Sequence, residues 1–98
     1  MAFINEYDFD HLKNEAELLV IREMEQQLKS ESDDMCRCND CIVDIAAIAL
    51  NTVKPLYRFS LLGTLYASQA MTEQTYADSV KKAVAFAIKK VKKNPSHE

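Results

Sequence analysis

From Phe9 to Leu28, apolar residues recur at steps of three and four: Phe9, Leu12, Ala16, Leu19, Val20, Met24 and Leu28. That period predicts one face of a helix. Leu18 and Ile21 lie beside the stripe and widen the apolar surface. A dimer contact or a deep single-chain core would each account for the excess. Asp8 or Asp10 is expected to cap this helix, since acidic groups suit its positive end. Lys29 to Asp34, KSESDD, reads as a polar loop. A second helix is predicted from about Asp40 to Val53. It is apolar nearly all round (Ile42, Val43, Ile45, Ile48, Leu50 and Val53, with Ala46, Ala47 and Ala49 between), which places it in the middle of the fold. Asn39 is its expected N-cap and Pro55 its stop.

Beyond Pro55 the pattern changes. Tyr57 to Ser60, YRFS, alternates aromatic and polar residues, as a short extended segment would, with a β pairing across a two-fold axis as one use for it. Gly63 marks a turn or a close contact. Leu65 to Ala70 suggests a short helix, with Thr72 as N-cap of the next. The last helix has the cleanest period: Tyr76, Val80, Ala83, Val84, Ala87, Ile88 and Val91 share a face. Lys81, Lys82, Lys89, Lys90, Lys92 and Lys93 cover its other faces. Asn94-Pro95 ends it. Residues 1–8 and 94–98 are expected to be loose termini.

With 98 residues, one Gly and two Pro, little chain is set aside for tight turns. The expectation is one all-α domain over residues 1–98. No apolar run approaches the ~20 residues of a membrane span, so membrane insertion is not expected. The start, MAFINEYDFD, lacks the basic and apolar regions of a signal peptide. A cytoplasmic location, with reduced thiols, is therefore expected. The net charge of -3 is unevenly spread. Residues 1–44 hold twelve acidic and four basic side chains, and residues 45–98 hold three and eight. The two halves could attract within a chain or across a dimer; two solvated helix faces would look the same.

All three cysteines, Cys36, Cys38 and Cys41, fall just before the apolar helix. They stand too close together for a useful disulfide loop. Cys38 and Cys41 form a C-x-x-C unit, whose turn brings two thiolates round one ion. Cys36, two residues earlier in extended chain, points to the same side and adds a third. Thiolates are soft ligands, which favours zinc. Asp40 and Asp44 are the nearest candidates for a fourth ligand, with Asp33, Asp34, His11 and His97 further off. Asp44 shares a helix face with Cys41 and is the preferred choice. Water or a partner chain could also complete the site. Three cysteines packed as small hydrophobes are the bland alternative. A redox pair is less attractive, because no βαβ pattern surrounds the C-x-x-C.

The stretch C-R-C-N-D-C-I-V-D-I-A-A-I-A-L-N-T-V-K-P-L-Y, residues 36–57, resembles the signature of the ComFB family, named for late competence development. Cys36, Cys38, Cys41, Asp44, Ile45, Ala47, Ile48, Ala49, Leu50, Asn51, Pro55 and Tyr57 carry the likeness. Asn14 to Val20, NEAELLV, is similar to the family's first helix, and Gly63–Tyr66 and Ala87–Val91 also fit. The family's Pro-Pro is Lys54-Pro55 here, and Arg58 follows Tyr57 instead of an Arg preceding it. The resemblance implies a small helical domain, usually a homodimer, with zinc at the cysteines. In some members it implies a receptor for the second messenger cyclic di-GMP.

No Ser-His-Asp set and no glycine-rich phosphate loop is present, so an enzyme is not expected. Two binding functions remain. As a receptor for cyclic di-GMP, the domain would offer Arg, aromatic and amide groups to two phosphates and two guanines. Arg22, Asn51, Tyr57 and Arg58 are the chosen contacts, with Arg37, Phe59 and Asp44 also available. Each has an ordinary role too: Asn51 as a helix C-cap, Tyr57 half-buried, Arg58 solvated. The alternative is a zinc-stabilised module that docks on an unidentified protein in competence or DNA uptake, without a nucleotide. Direct DNA binding is not expected, because the lysines come with an acidic half and no reading helix.

Overall fold

The computed structural model describes residues 2–58 and 73–95. Helix α1 (Phe3–Glu6) buries none of its residues, and a 3-10 turn follows at Phe9–His11. Next come strand β1 (Lys13–Asn14), helix α2 (Ala16–Lys29), helix α3 (Asn39–Thr52), strand β2 (Tyr57–Arg58) and helix α4 (Glu73–Lys93). The protein is a small, mostly helical single domain, as the hydrophobic pattern predicts. The predicted turn at Gly63, the helix over Leu65–Ala70 and the Thr72 cap lie outside the described residues.

α2 begins at Ala16 and not at Phe9. Phe9 and Leu12 match the helical period but stay 45% and 47% exposed. The intervening chain serves another purpose. Lys13 and Asn14 pair antiparallel with Arg58 and Tyr57 respectively, within one chain and not across a two-fold axis. The Asn14 Oδ1 accepts from the Ala16 N–H at 3.1 Å and from the Leu56 N–H at 2.8 Å. The Glu15 N–H donates to the Leu56 carbonyl at 2.8 Å. Asn14 therefore satisfies an orphan amide at the start of α2 and ties that start to the chain leaving α3. Neither Asp8 nor Asp10 caps α2. Asp8 precedes the 3-10 turn without a capping bond and pairs with His11.

α2, α3 and α4 pack on one another. The core comprises Ala16, Val20 and Met24 from α2, Cys41, Ile45 and Ala49 from α3, and Tyr76, Val80, Ala83, Val84, Ala87, Ile88 and Val91 from α4, with Met35, Val53 and Leu56 from the connections. Every residue predicted for the buried face of the last helix is buried. α3 departs from its expected all-round burial. Cys41, Ile45 and Ala49 form a stripe at four-residue steps, while Ile42, Ala46, Ile48 and Leu50 are half-buried against it and Val43 is 55% exposed. Among the described residues α3 has two packed neighbours, α2 and α4, which cover only part of its circumference. The Tyr76 hydroxyl donates to the Lys54 carbonyl at 2.5 Å, which fixes the early part of α4 against the exit of α3. Among the described residues no helix is long and apolar enough to cross a membrane.

Candidate metal centre

The loop from α2 to α3 carries the cysteines, and both ends of it are anchored. Met35 is buried in the core, and Glu31 pairs with Lys92 of α4. Cys38 is extended (φ -69°, ψ 163°) and occupies the N-cap position of α3. Its Sγ accepts from the Cys41 N–H at 3.4 Å. Asn39, the expected cap, is instead the first helical residue. A sulfur carrying negative charge is a suitable acceptor for an orphan helix amide, and the helix's positive end favours that charge.

The ligand atoms of Cys36, Cys38 and Cys41 all lie within 4.8 Å of one another. Thiolates on one tetrahedral ion, with metal–sulfur bonds of about 2.3 Å, stand about 3.8 Å apart. The trio needs only a small contraction to reach that spacing. Cys41 is buried, and Cys36 and Cys38 are half-buried, which places the site at the protein boundary. Geometry and donor chemistry both fit a thiophilic ion. Asp44 follows one turn after Cys41 and is half-buried; the trio comes together without it.

The predicted nucleotide contacts stand elsewhere. Asn51 lies in the last turn of α3, where its amide N–H donates to the Ala47 carbonyl at 2.9 Å. It is not the C-cap; Val53 takes that place. Tyr57 is 52% exposed and its backbone is held in β2, as is that of Arg58. Ten residues of helix, about 15 Å of rise, separate Cys41 from Asn51. Metal cluster and loop thus sit at opposite ends of α3. Arg22 is exposed midway along α2. Beside β2, at the start of α2, a shallow groove is lined by Lys13, Asn14, Glu15, Glu17, Leu18 and Ile21. Sequence reasoning missed Lys13, which the β1–β2 register sets opposite Arg58. The only signal for it was its place next to the Asn14 of the family-like segment.

The described residues form a small helical domain in which three clustered thiols, at the N-terminus of a helix, could hold a metal ion. The family model described as "Late competence development protein ComFB" matches residues 13–95. The chain therefore belongs to the ComFB family. A solved structure of the late competence protein ComFB from Bacillus subtilis superposes with a TM-score of 0.65, covering 87% of this chain and 92% of that one at 21% identity. It shares the fold. No curated protein sequence matches the chain.

Proposed function

We propose that this ComFB-family protein is a zinc-bearing regulatory module that binds cyclic di-GMP as a homodimer. The observation that carries the ligand reading is the β1–β2 pairing. It fixes the backbone of Tyr57 and Arg58 next to Lys13, at the edge of a groove with an apolar wall of Leu18 and Ile21. An exposed tyrosine beside cationic residues suits a guanine base with its phosphates. Arg22, adjacent to Ile21 on α2, adds a further cation, and Asn51 an amide oxygen for a guanine edge. Zinc suits the three thiols, with Asp44 as fourth ligand. When bound it would cross-link the Cys36–Cys38 segment to α3 and perform no reaction. The location proposed is the cytoplasm.

The dimer reading is supported by Leu18, Ile21 and Val43, which are 49%, 53% and 55% exposed. Large apolar side chains on α2 and α3 suit an isologous contact between copies. Light scattering at micromolar concentration should give twice 11.2 kDa; the single value would reject the dimer.

Calorimetry with cyclic di-GMP at physiological salt tests the receptor reading. Arg58→Ala should weaken binding by roughly 1.5–3 kcal/mol, the worth of a charged hydrogen bond. Binding that ignores both Arg58→Ala and Tyr57→Ala would leave the receptor standing and remove these contacts. Absence of heat, and of competition at tens of micromolar ligand, favours the second reading. That reading is a zinc-stabilised module whose Leu18–Ile21 surface docks on a protein in competence or DNA uptake.

A further inference from the structure

We infer that Arg37 is a positioning residue for the three-cysteine site, coupling the grip of the thiols on their metal to the C-terminal end of α2. The inference rests on the metal reading above and extends it to a side chain that offers no ligand atom.

Arg37 lies between Cys36 and Cys38, of which Cys38 is extended; in extended chain alternate side chains point to opposite sides. With the two thiols turned toward the metal position, the guanidinium is carried away from it. Its Nη2 donates to the Leu28 carbonyl at 2.9 Å and to the Glu31 carbonyl at 3.4 Å. Leu28 belongs to the last turn of α2, where the dipole favours a cation; its carbonyl also accepts the Glu31 N–H at 3.3 Å. Residues 37 and 38 thus act at two helix ends in succession. Arg37 reaches back to the end of α2, and Cys38 caps the start of α3.

The consequence falls unequally on the three thiols. Cys41 is held by α3 itself, and Cys38 is held at its cap by the Cys41 N–H. Cys36 precedes the helix and belongs to the loop. Met35 in the core, Glu31 on Lys92 and Arg37 on α2 help to fix the loop that carries it. Of these, Arg37 is bonded to its neighbour in the chain. Because Arg37 is exposed, its hydrogen bonds add little to global stability. Their effect is to hold Cys36 where a third metal–sulfur bond can form. Both bonds come from the one Nη2 nitrogen, so a lysine ammonium, a point charge on a shorter and more flexible side chain, can reproduce them only in part.

The test uses the full chain titrated with cobalt(II), whose sulfur-to-metal charge-transfer absorption reports the number of bound thiolates, and with zinc against a chromophoric chelator. Arg37→Ala should weaken metal binding by roughly 10–100-fold, the range found when groups that orient metal ligands are lost. Its charge-transfer intensity should fall by about a third, from three thiolates toward two. Arg37→Lys should recover part of the affinity, and it serves as the second variant if Arg37→Ala folds poorly. Metal-free wild type and Arg37→Ala should melt alike. Retention of both affinity and spectrum in Arg37→Ala overturns the proposal. So does an equal loss of melting temperature with and without metal, which would make Arg37 a simple helix cap. A wild-type chain that takes up neither cobalt nor zinc refutes the metal reading itself, a result distinct from either.

Discussion

Asn14 and Leu56, 42 positions apart in sequence, are joined by a side-chain oxygen that accepts the Leu56 amide at 2.8 Å while also accepting the Ala16 amide. One oxygen thereby starts α2 and fixes the chain that leaves α3. Asn14→Ala strands both amides, which belong to the buried residues Ala16 and Leu56. It should cost about 1–3 kcal/mol of unfolding free energy, the penalty for unsatisfied donors. Asn14→Asp keeps the acceptor and should lose much less. Urea unfolding of the three proteins checks the order; equal midpoints would mean water replaces the Asn14 oxygen.

The Tyr76–Lys54 bond makes a milder demand. Tyr76 is buried, and burial pushes its phenol above the ordinary tyrosine range. Tyr76→Phe keeps the ring in the core and removes only the hydroxyl. The expected loss is about 0.5–1.5 kcal/mol, read as a small drop in melting temperature. Tyr76→Ala should cost about 3–5 kcal/mol, by analogy with other aromatic truncations.

Glu31 and Lys92 predict the pH response of the loop. The Lys92 ammonium holds the Glu31 carboxyl below its ordinary value of 4.5, and Glu31 raises Lys92 above 10.5. The lowered carboxyl contributes stability above pH 4.5 that is lost as pH falls through its folded value. The raised ammonium contributes below pH 10.5 and is lost as pH rises through its folded value. Between these limits the pair should be pH-independent. Both groups are open to solvent, so the effect is small and weakens with salt. Comparing melting curves of wild type and Glu31→Gln from pH 3 to 7 at low and high salt reads it directly. A difference between the two proteins that grows toward acid would contradict the sign.

Metal removal should destabilise the chain. Metal bound by Cys36, Cys38 and Cys41 links a polar loop to α3, so its binding free energy adds to that of folding. Chelation, verified by elemental analysis, should lower the melting temperature. Cys36→Ser should reproduce the effect in the presence of metal. An unchanged melting curve would show that the fold stands without the ion.

Much of this protein was legible in its hydrophobic spacing and its cysteines. The period of Tyr76 through Val91 set the buried face of α4, because a helix with one apolar stripe has only one way to hide it. The C-x-C-x-x-C spacing brought three sulfurs together, because local chain geometry decides contacts between residues so close in sequence. The start of α2 was not legible. Phe9 and Leu12 obey the helical period, yet Asn14 turns to Leu56 and the helix waits until Ala16. That choice depends on a partner 42 residues away, which no local pattern encodes. The reach of Arg37 to Leu28 and the pairing of Lys13 with Arg58 are of the same kind. Each is a hydrogen bond between segments whose proximity exists only after α2, α3 and α4 have packed.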